Sequence, residues 1–372
     1  MPTELCFGEK TLAGFGGKIS LLGENALIVT GKMSAIKSGA QEELLEILGK
    51  ADIKHSIFNK ISENPTIDMV MQGVDVFGEN DCDFVIGVGG GSPIDAAKAI
   101  SAIKANKLNK DDIYCSEKIK RSYPIVAIPT TSGTGSEVTP YSVVIFENRK
   151  AGFGSPFMFP KISFIDPRYT RSLDNRITRD TAIDALSHLL EGIYSVKRNK
   201  IIYPLIYKGV SLIYSSLIKT IDEPQNLVLR GNLMQASLYG GIVIAQTGTT
   251  LQHSIGYPLT VEFGTSHGLA NGIVMKEIME LYCKDKIIAN EIKNLFNYLK
   301  IKQDDFYNWL NKFNMKMENR LSDAFIKAKS QEILKSRNMQ ATPGSVSLDD
   351  IESILKRIQN SFFIVDIIRD IV

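Results

Sequence analysis

The stretch that most restricts the fold is residues 83–100. A short, mainly apolar run over 83–88 reads as a buried strand, Gly89-Gly90-Gly91-Ser92 as a turn, and Pro93-Ile94-Asp95-Ala96-Ala97-Lys98-Ala99-Ile100 as the start of a helix. Ser92 is expected as the N-cap, Pro93 suits the first helical position, and Asp95 is placed to bond back to the cap. A glycine turn between strand and helix lets backbone approach a ligand where free N–H groups and the positive end of the helix dipole coincide. Gly89, Gly90, Gly91 and Ser92 therefore read as a phosphate-binding turn.

The flanking sequence repeats this alternation. Residues 25–30 are a buried parallel strand ending at Gly31, followed by a helix over 41–48, a strand over 53–58 and a helix over 66–77. Another strand over 124–128 opens into Pro129-Thr130-Thr131-Ser132-Gly133-Thr134-Gly135-Ser136-Glu137-Val138-Thr139. Strands are also expected over 141–146 and 162–165, with Lys150 between them. Alternating strands and helices predict an open α/β sheet of Rossmann type, whose carboxyl edge binds ligands. The hydroxyls of Thr130, Thr131 and Thr134 lie on that edge and can bond a ribose, phosphate or carboxamide.

Past residues 167–178 the strand-like runs stop. Helical segments follow at 181–194, 202–218, 227–245, 267–282, 287–299, 304–313 and 348–358. Two domains are expected: a dinucleotide-binding α/β unit over 1–172 and an all-α, metal-binding unit over 173–372. The apolar ending over 362–372 reads as a packed helix or strand.

The helical half holds three of the four histidines in the chain; the fourth is His55. Asp184 and His188 are four residues apart, on one face of a helix. Gly256, Pro258 and Gly264 between His253 and His267 predict a loop that folds the second histidine back on the first. One carboxylate and three imidazoles without a thiolate suit Fe(II) or Zn(II). Spacing alone leaves open that these histidines are merely packed or solvated.

Composition narrows the function class. With 44% hydrophobic and 23% charged residues and a net charge of +2, the chain shows no basic concentration suited to nucleic acid or a membrane surface. Cys6, Cys82, Cys115 and Cys283 lack paired spacing, and no apolar run reaches membrane-spanning length or forms a signal peptide. A reduced, cytoplasmic protein is expected.

The glycine turn with Pro93 to Lys98, the hydroxyl loop from Pro129 to Thr139, Asp184-Ala185-Leu186-Ser187-His188, His253 and His267-Gly268 occur in an order that resembles the iron-containing (group III) alcohol dehydrogenases. The resemblance runs over nearly the whole chain, weakest beyond about Asp304. It implies the two-domain architecture shared with dehydroquinate synthases, and Fe(II) on Asp184, His188, His253 and His267. It also implies hydride exchange between a nicotinamide and a small primary alcohol or diol whose oxygen the metal polarises. It directs Gly90, Gly91 and Ser92 at the pyrophosphate, Thr130 and Thr134 at adenine-side and phosphate contacts, and Asn64 and Lys150 at the ribose regions. A homodimer or larger homo-oligomer is common among such proteins.

Two positions depart from that pattern. Many members carry a histidine four residues after the second metal histidine as a proton relay; here it is Tyr257, a poor base near neutral pH. Ala182 replaces a glycine of the Thr-Gly-x-Asp-Ala run. Cofactor choice turns on Gly31, because an acidic residue at the end of that strand would bond the ribose of NAD and repel the phosphate of NADP. With glycine there, and Lys32, Ser34 and Lys37 adjacent, NADP(H) is preferred over NAD(H).

Two other classes remain in view. A dehydroquinate synthase-like lyase would need several basic side chains near the metal, and the segment 253–267 has none. A non-catalytic nucleotide-binding protein would have no reason to retain four ligands. Phe157, Tyr141, Tyr257 and Leu259 predict an apolar substrate pocket of modest size.

Overall fold

The computed structural model describes residues 2–360. The expected element over 362–372 lies outside the described residues. In the first half, β1 (Glu4–Phe7), α1 (Thr11–Phe15), β2 (Asn25–Thr30), α2 (Ser34–Lys37), α3 (Ala40–Lys50), β3 (Lys54–Phe58), α4 (Ile67–Glu79), β4 (Phe84–Gly89), α5 (Gly91–Asn106), β5 (Ile125–Pro129), β6 (Tyr141–Phe146), β7 (Arg149–Gly154) and β8 (Ile162–Ile165) follow one another. Six strands form one parallel sheet in the order β1-β8-β5-β4-β2-β3.

Sequence decides which strands are central. Every residue of β4 and β5 is buried, as near-continuous apolar runs covered on both faces should be. One apolar layer, including Phe77, Ile100 and Ile103, covers one face of the sheet; another, including Leu12, Leu44 and Phe164, covers the other. The chain moves outward from β2 to β3 and then crosses back to β4. Strand order therefore reverses between β2 and β4, and a crevice opens beyond their carboxyl ends, at Gly31 and Gly89.

β6 does not join this sheet. It pairs antiparallel with β7 in a separate hairpin that carries Lys150, a strand absent from the sequence reading.

The second half is helical: α6 (Asn175–Tyr194), α7 (Tyr203–Asp222), α8 (Leu227–Thr247), α9 (Leu251–Phe263), α10 (His267–Tyr282), α11 (Lys286–Leu299), α12 (Gln303–Asn311), α13 (Asp323–Leu334) and α14 (Leu348–Asn360). Asp174 caps α6 by accepting from Ile177 N at 2.7 Å, and nearly every residue from Ala182 to Tyr194 is buried. The halves meet through Val138 and Ile165 against Met234 and Leu238 of α8. Gly135 and Gly241 also touch there, and a Cβ on Gly241 would lie 2.6 Å from the Gly135 carbonyl oxygen.

Two local expectations are corrected. The segment after His253 is helix α9, not a loop, with Pro258 inside it. A mid-helix proline costs roughly 3 kcal/mol, but burial of Leu251, Ile255 and Leu259 in the helical core opposes that loss. Second, α5 begins at Gly91 with Gly90 at the N-cap position, so Ser92 does not cap it. Asp95 faces away from the cap and instead accepts from Ser136 Oγ and from Val143 N, the latter at 2.9 Å. Among the described residues no helix is long and apolar enough to cross a membrane, and all four cysteines are unpaired.

Candidate functional site

Helix α6 supplies Asp184, His188 and Glu191 on one face, α9 supplies His253 and Tyr257, and α10 begins with His267 and carries Asn271 one turn later. Nε2 atoms of His253, His267 and His188 lie 3.7, 3.8 and 4.0 Å from Asp184 Oδ1. His253 and His188 Nε2 are 3.0 Å apart. Asp184, His188 and His253 bring one ligand atom each within 4.8 Å of one another, with His267 at the margin of this group. Gly264 ends α9 in a left-handed conformation, and the two residues after it return the chain to His267.

This arrangement passes a chemical test for a divalent transition metal. Facing imidazole nitrogens repel unless a proton or a cation lies between them, and the donor set is the borderline nitrogen and oxygen mixture such ions take. Burial disfavours charge on Asp184, yet the surrounding imidazoles of His188, His267 and His253 outweigh it and hold the carboxyl well below its usual range. Burial pushes His188 and His267 down, which keeps both neutral and ready to ligate.

Two supporting residues escaped the sequence reading. Glu191 is fully buried and accepts from Thr250 N at 2.6 Å, from Thr250 Oγ1 at 2.8 Å, and from His253 Nδ1. The last bond turns His253 Nε2 towards the cluster. Burial pushes this imidazole down, but the Glu191 and Asp184 carboxylates outweigh it and bring it up to about 9. Asn271 Nδ2 lies 2.9 Å from Asp184 Oδ1 and 3.1 Å from His253 Nε2. Helical spacing could have found both, since Glu191 is three residues from His188 and Asn271 four from His267.

At the sheet edge, Gly89 ends β4 with φ +148, where a Cβ would lie 2.7 Å from the Pro93 ring. Gly90 and Gly91 face the side chains of Thr131 and Thr134. Thr130 N donates to Gly89 O at 2.8 Å and ties the hydroxyl loop to the turn. Space for a Cβ on either Gly31 or Gly89 ends 3.4 Å from Ser34 Oγ, so that hydroxyl lies in the crevice between β2 and β4. Lys32 and Lys37 are exposed beside it, whereas His55 is exposed on β3 and belongs to neither site.

A chain of polar contacts joins the edges. Ser92 Oγ accepts from Asn64 N at 3.2 Å, and Asn64 Oδ1 accepts from Lys150 Nζ at 2.7 Å. Lys150 Nζ then lies 5.5 Å from the Tyr257 ring, which stacks on His267 at 5.5 Å. Burial pushes the Lys150 ammonium down to about 8, opposed by Asp184, Glu63 and Asp95. It also pushes the Tyr257 phenol above its ordinary value.

Of the four residues expected to line the substrate pocket, only Tyr257 borders the cleft beside it. Leu259 is buried in the helical core, Phe157 is half exposed elsewhere, and Tyr141 does not line the cleft. Arg149, Lys150, Lys329 and Arg337 do. Basic groups missing from segment 253–267 arrive from β7, α13 and the turn after α13, all remote from it in sequence.

Both halves of the chain are similar to known proteins. The family described as iron-containing alcohol dehydrogenase matches residues 2–167, and the C-terminal part of the Fe-containing alcohol dehydrogenase family matches 178–359. A 1,3-propanediol dehydrogenase of Klebsiella pneumoniae is 31% identical over 79% of this chain and 76% of its own. The long-chain primary alcohol dehydrogenase of Thermoanaerobacter ethanolicus is 31% identical over 69% of this chain and 65% of its own. An iron-containing alcohol dehydrogenase structure from Thermotoga maritima superposes with a TM-score of 0.91 at 38% identity, covering 97% of this chain and 98% of that one.

Fold and donor set together define a metal-dependent oxidoreductase with an α/β half and a helical half. The chain belongs to the iron-containing alcohol dehydrogenase family.

Proposed function

We propose that the protein interconverts a small primary alcohol or diol and its aldehyde by hydride exchange with a nicotinamide cofactor, using NADP(H) in preference to NAD(H). The observation that carries this reading is the convergence of three imidazole Nε2 atoms on Asp184 Oδ1, beside the contacts that lead through Lys150 and Asn64 to the glycine turn.

Asp184, His188, His253 and His267 would hold Fe(II), and Zn(II) suits the same donors. The ion supplies Lewis acidity to a substrate oxygen. Glu191 fixes the ring of His253, and Asn271 orients the Asp184 carboxylate. Backbone N–H groups after Gly90 would take the cofactor pyrophosphate, with Gly89, Gly91 and Ser92 shaping the turn and Thr130, Thr131 and Thr134 closing over it. Lys150 and Asn64 would hold the ribose nearer the metal. Asp95 enters by bracing the hydroxyl loop through Ser136. Tyr257, with its phenol raised, orients substrate and leaves proton acceptance to water or a cofactor hydroxyl.

NADP(H) is favoured because no carboxylate stands at Gly31, and an acidic side chain there would start 3.2 Å from the Ile61 carbonyl oxygen. Ser34 with Lys32 and Lys37 would face the extra phosphate. The domain boundary falls at 172/173, between the turn at Pro167–Thr170 and the cap of α6.

Anaerobically purified protein given Fe(II), butanal and either NADPH or NADH tests this reading. Aldehyde-dependent consumption of NADPH over NADH, abolished by a chelator, is expected. Consumption that survives metal removal, or none with loaded protein, contradicts it.

A further inference from the structure

Of the four side chains assigned to the metal, His267 is the least supported. Asp184 and His188 stand well inside the long helix α6, and Glu191 grips His253. His267 is the first residue of α10, and its Nδ1 has no hydrogen-bond partner among the described residues. Its side chain is 23% exposed, whereas those of Asp184, His188 and His253 are 5% exposed or less. A metal exchanging with solvent therefore passes His267.

Asp180, a buried carboxylate with no part in the proposed hydride exchange, touches both neighbours of this histidine. Its Oδ2 accepts from Ser266 Oγ, and its carbonyl oxygen lies against Gly268, where a Cβ would come within 1.8 Å. Ser266 stands at the N-cap position of α10, yet its side chain caps nothing there and its hydroxyl is given to Asp180 instead. Arg179 supplies the counter-charge at 2.7 Å. Asp180 is four residues before Asp184 on α6, so both carboxylates lie on one face of that helix.

We propose that Asp180 is a positioning residue: it sets the start of α10 in register with Asp184, and its bond to Ser266 latches His267 in place and slows escape of the metal. This rests on the ligand set of the proposed function. With the bond broken, the chain between Gly264, which is left-handed, and Gly268 can swing His267 away from Asp184.

The test follows release of Fe(II) from anaerobically loaded protein to an excess of a coloured Fe(II) chelator. Ser266→Ala is expected to release the ion about tenfold faster than wild type, the scale of one hydrogen bond to a charged group, with cofactor affinity held. Ser266→Thr keeps the hydroxyl and should release at the wild-type rate. Asp180→Asn should also speed release, and the double variant Asp180→Asn, Ser266→Ala should be no faster than the faster single variant, because both changes act on one bond. A double variant whose rate is the product of the two single effects overturns the latch, as does a threonine variant as fast as the alanine one. If wild type holds Fe(II) and Ser266→Ala releases it no faster, the latch alone fails; if wild type takes up no Fe(II), the ligand set fails with it.

Discussion

The glycine turn and the metal cluster are built from different material. At the turn the chain offers backbone: Gly89, Gly90 and Gly91 contribute by lacking side chains. In the cluster it offers side chains held by other buried side chains, Glu191 behind His253 and Asn271 beside Asp184. A backbone site is sensitive to added bulk and indifferent to most chemistry. A side-chain site is sensitive to each donor atom, and substitution divides the two accordingly.

The largest effect is expected in the cluster. His267→Ala should remove metal binding and turnover together, by about a thousandfold or more in kcat, as measured by metal content and steady-state rate. Normal turnover in that variant would sink the ligand assignment.

Lys150 sharpens the contrast because it belongs to neither type. In the unfolded chain its ammonium titrates near 10.5, and burial brings it to about 8 in the fold. Between those values the unfolded chain holds the extra proton, so wild-type stability should rise with pH; below about 8 the cost of the buried charge is present in full. Lys150→Met in metal-free protein should therefore gain up to about 3 kcal/mol at pH 7 and flatten the slope between pH 8 and 10.5, as read by urea denaturation. Unchanged stability would mean that solvent reaches the ammonium.

Glu191→Gln keeps an acceptor but removes its charge. It should weaken metal binding by about 10- to 100-fold in chelator competition while leaving cofactor affinity intact. Gly89→Ala should act in reverse, destabilising by about 1 kcal/mol or somewhat more and raising cofactor KM with metal affinity held. Loss of metal in this last variant would show that the two edges are one mechanical unit.

What could be read in the sequence follows the same division. Asp184 and His188 were legible because helical spacing places them together whatever the tertiary fold. The convergence of His253 and His267 on Asp184 was legible, but the path between them was not: Pro258 signals a break, and only packing of Leu259 and Ile255 shows why the helix continues. The sheet and its glycine turn were legible from strand and helix alternation, whereas Ser92 was misread as a cap because helix α5 begins two residues earlier. Strand β6 was legible, but its partner β7 and their pairing were not, and with them the cations of the cleft, because Arg149 and Arg337 line it only through tertiary contacts.

The most direct test of the account is a crystal of the protein soaked anaerobically with Fe(II), with anomalous scattering recorded on both sides of the iron edge. One peak bounded by Asp184 Oδ1 and Nε2 of His188, His253 and His267 is expected. A peak elsewhere, or none with these four side chains ordered as described, would contradict it.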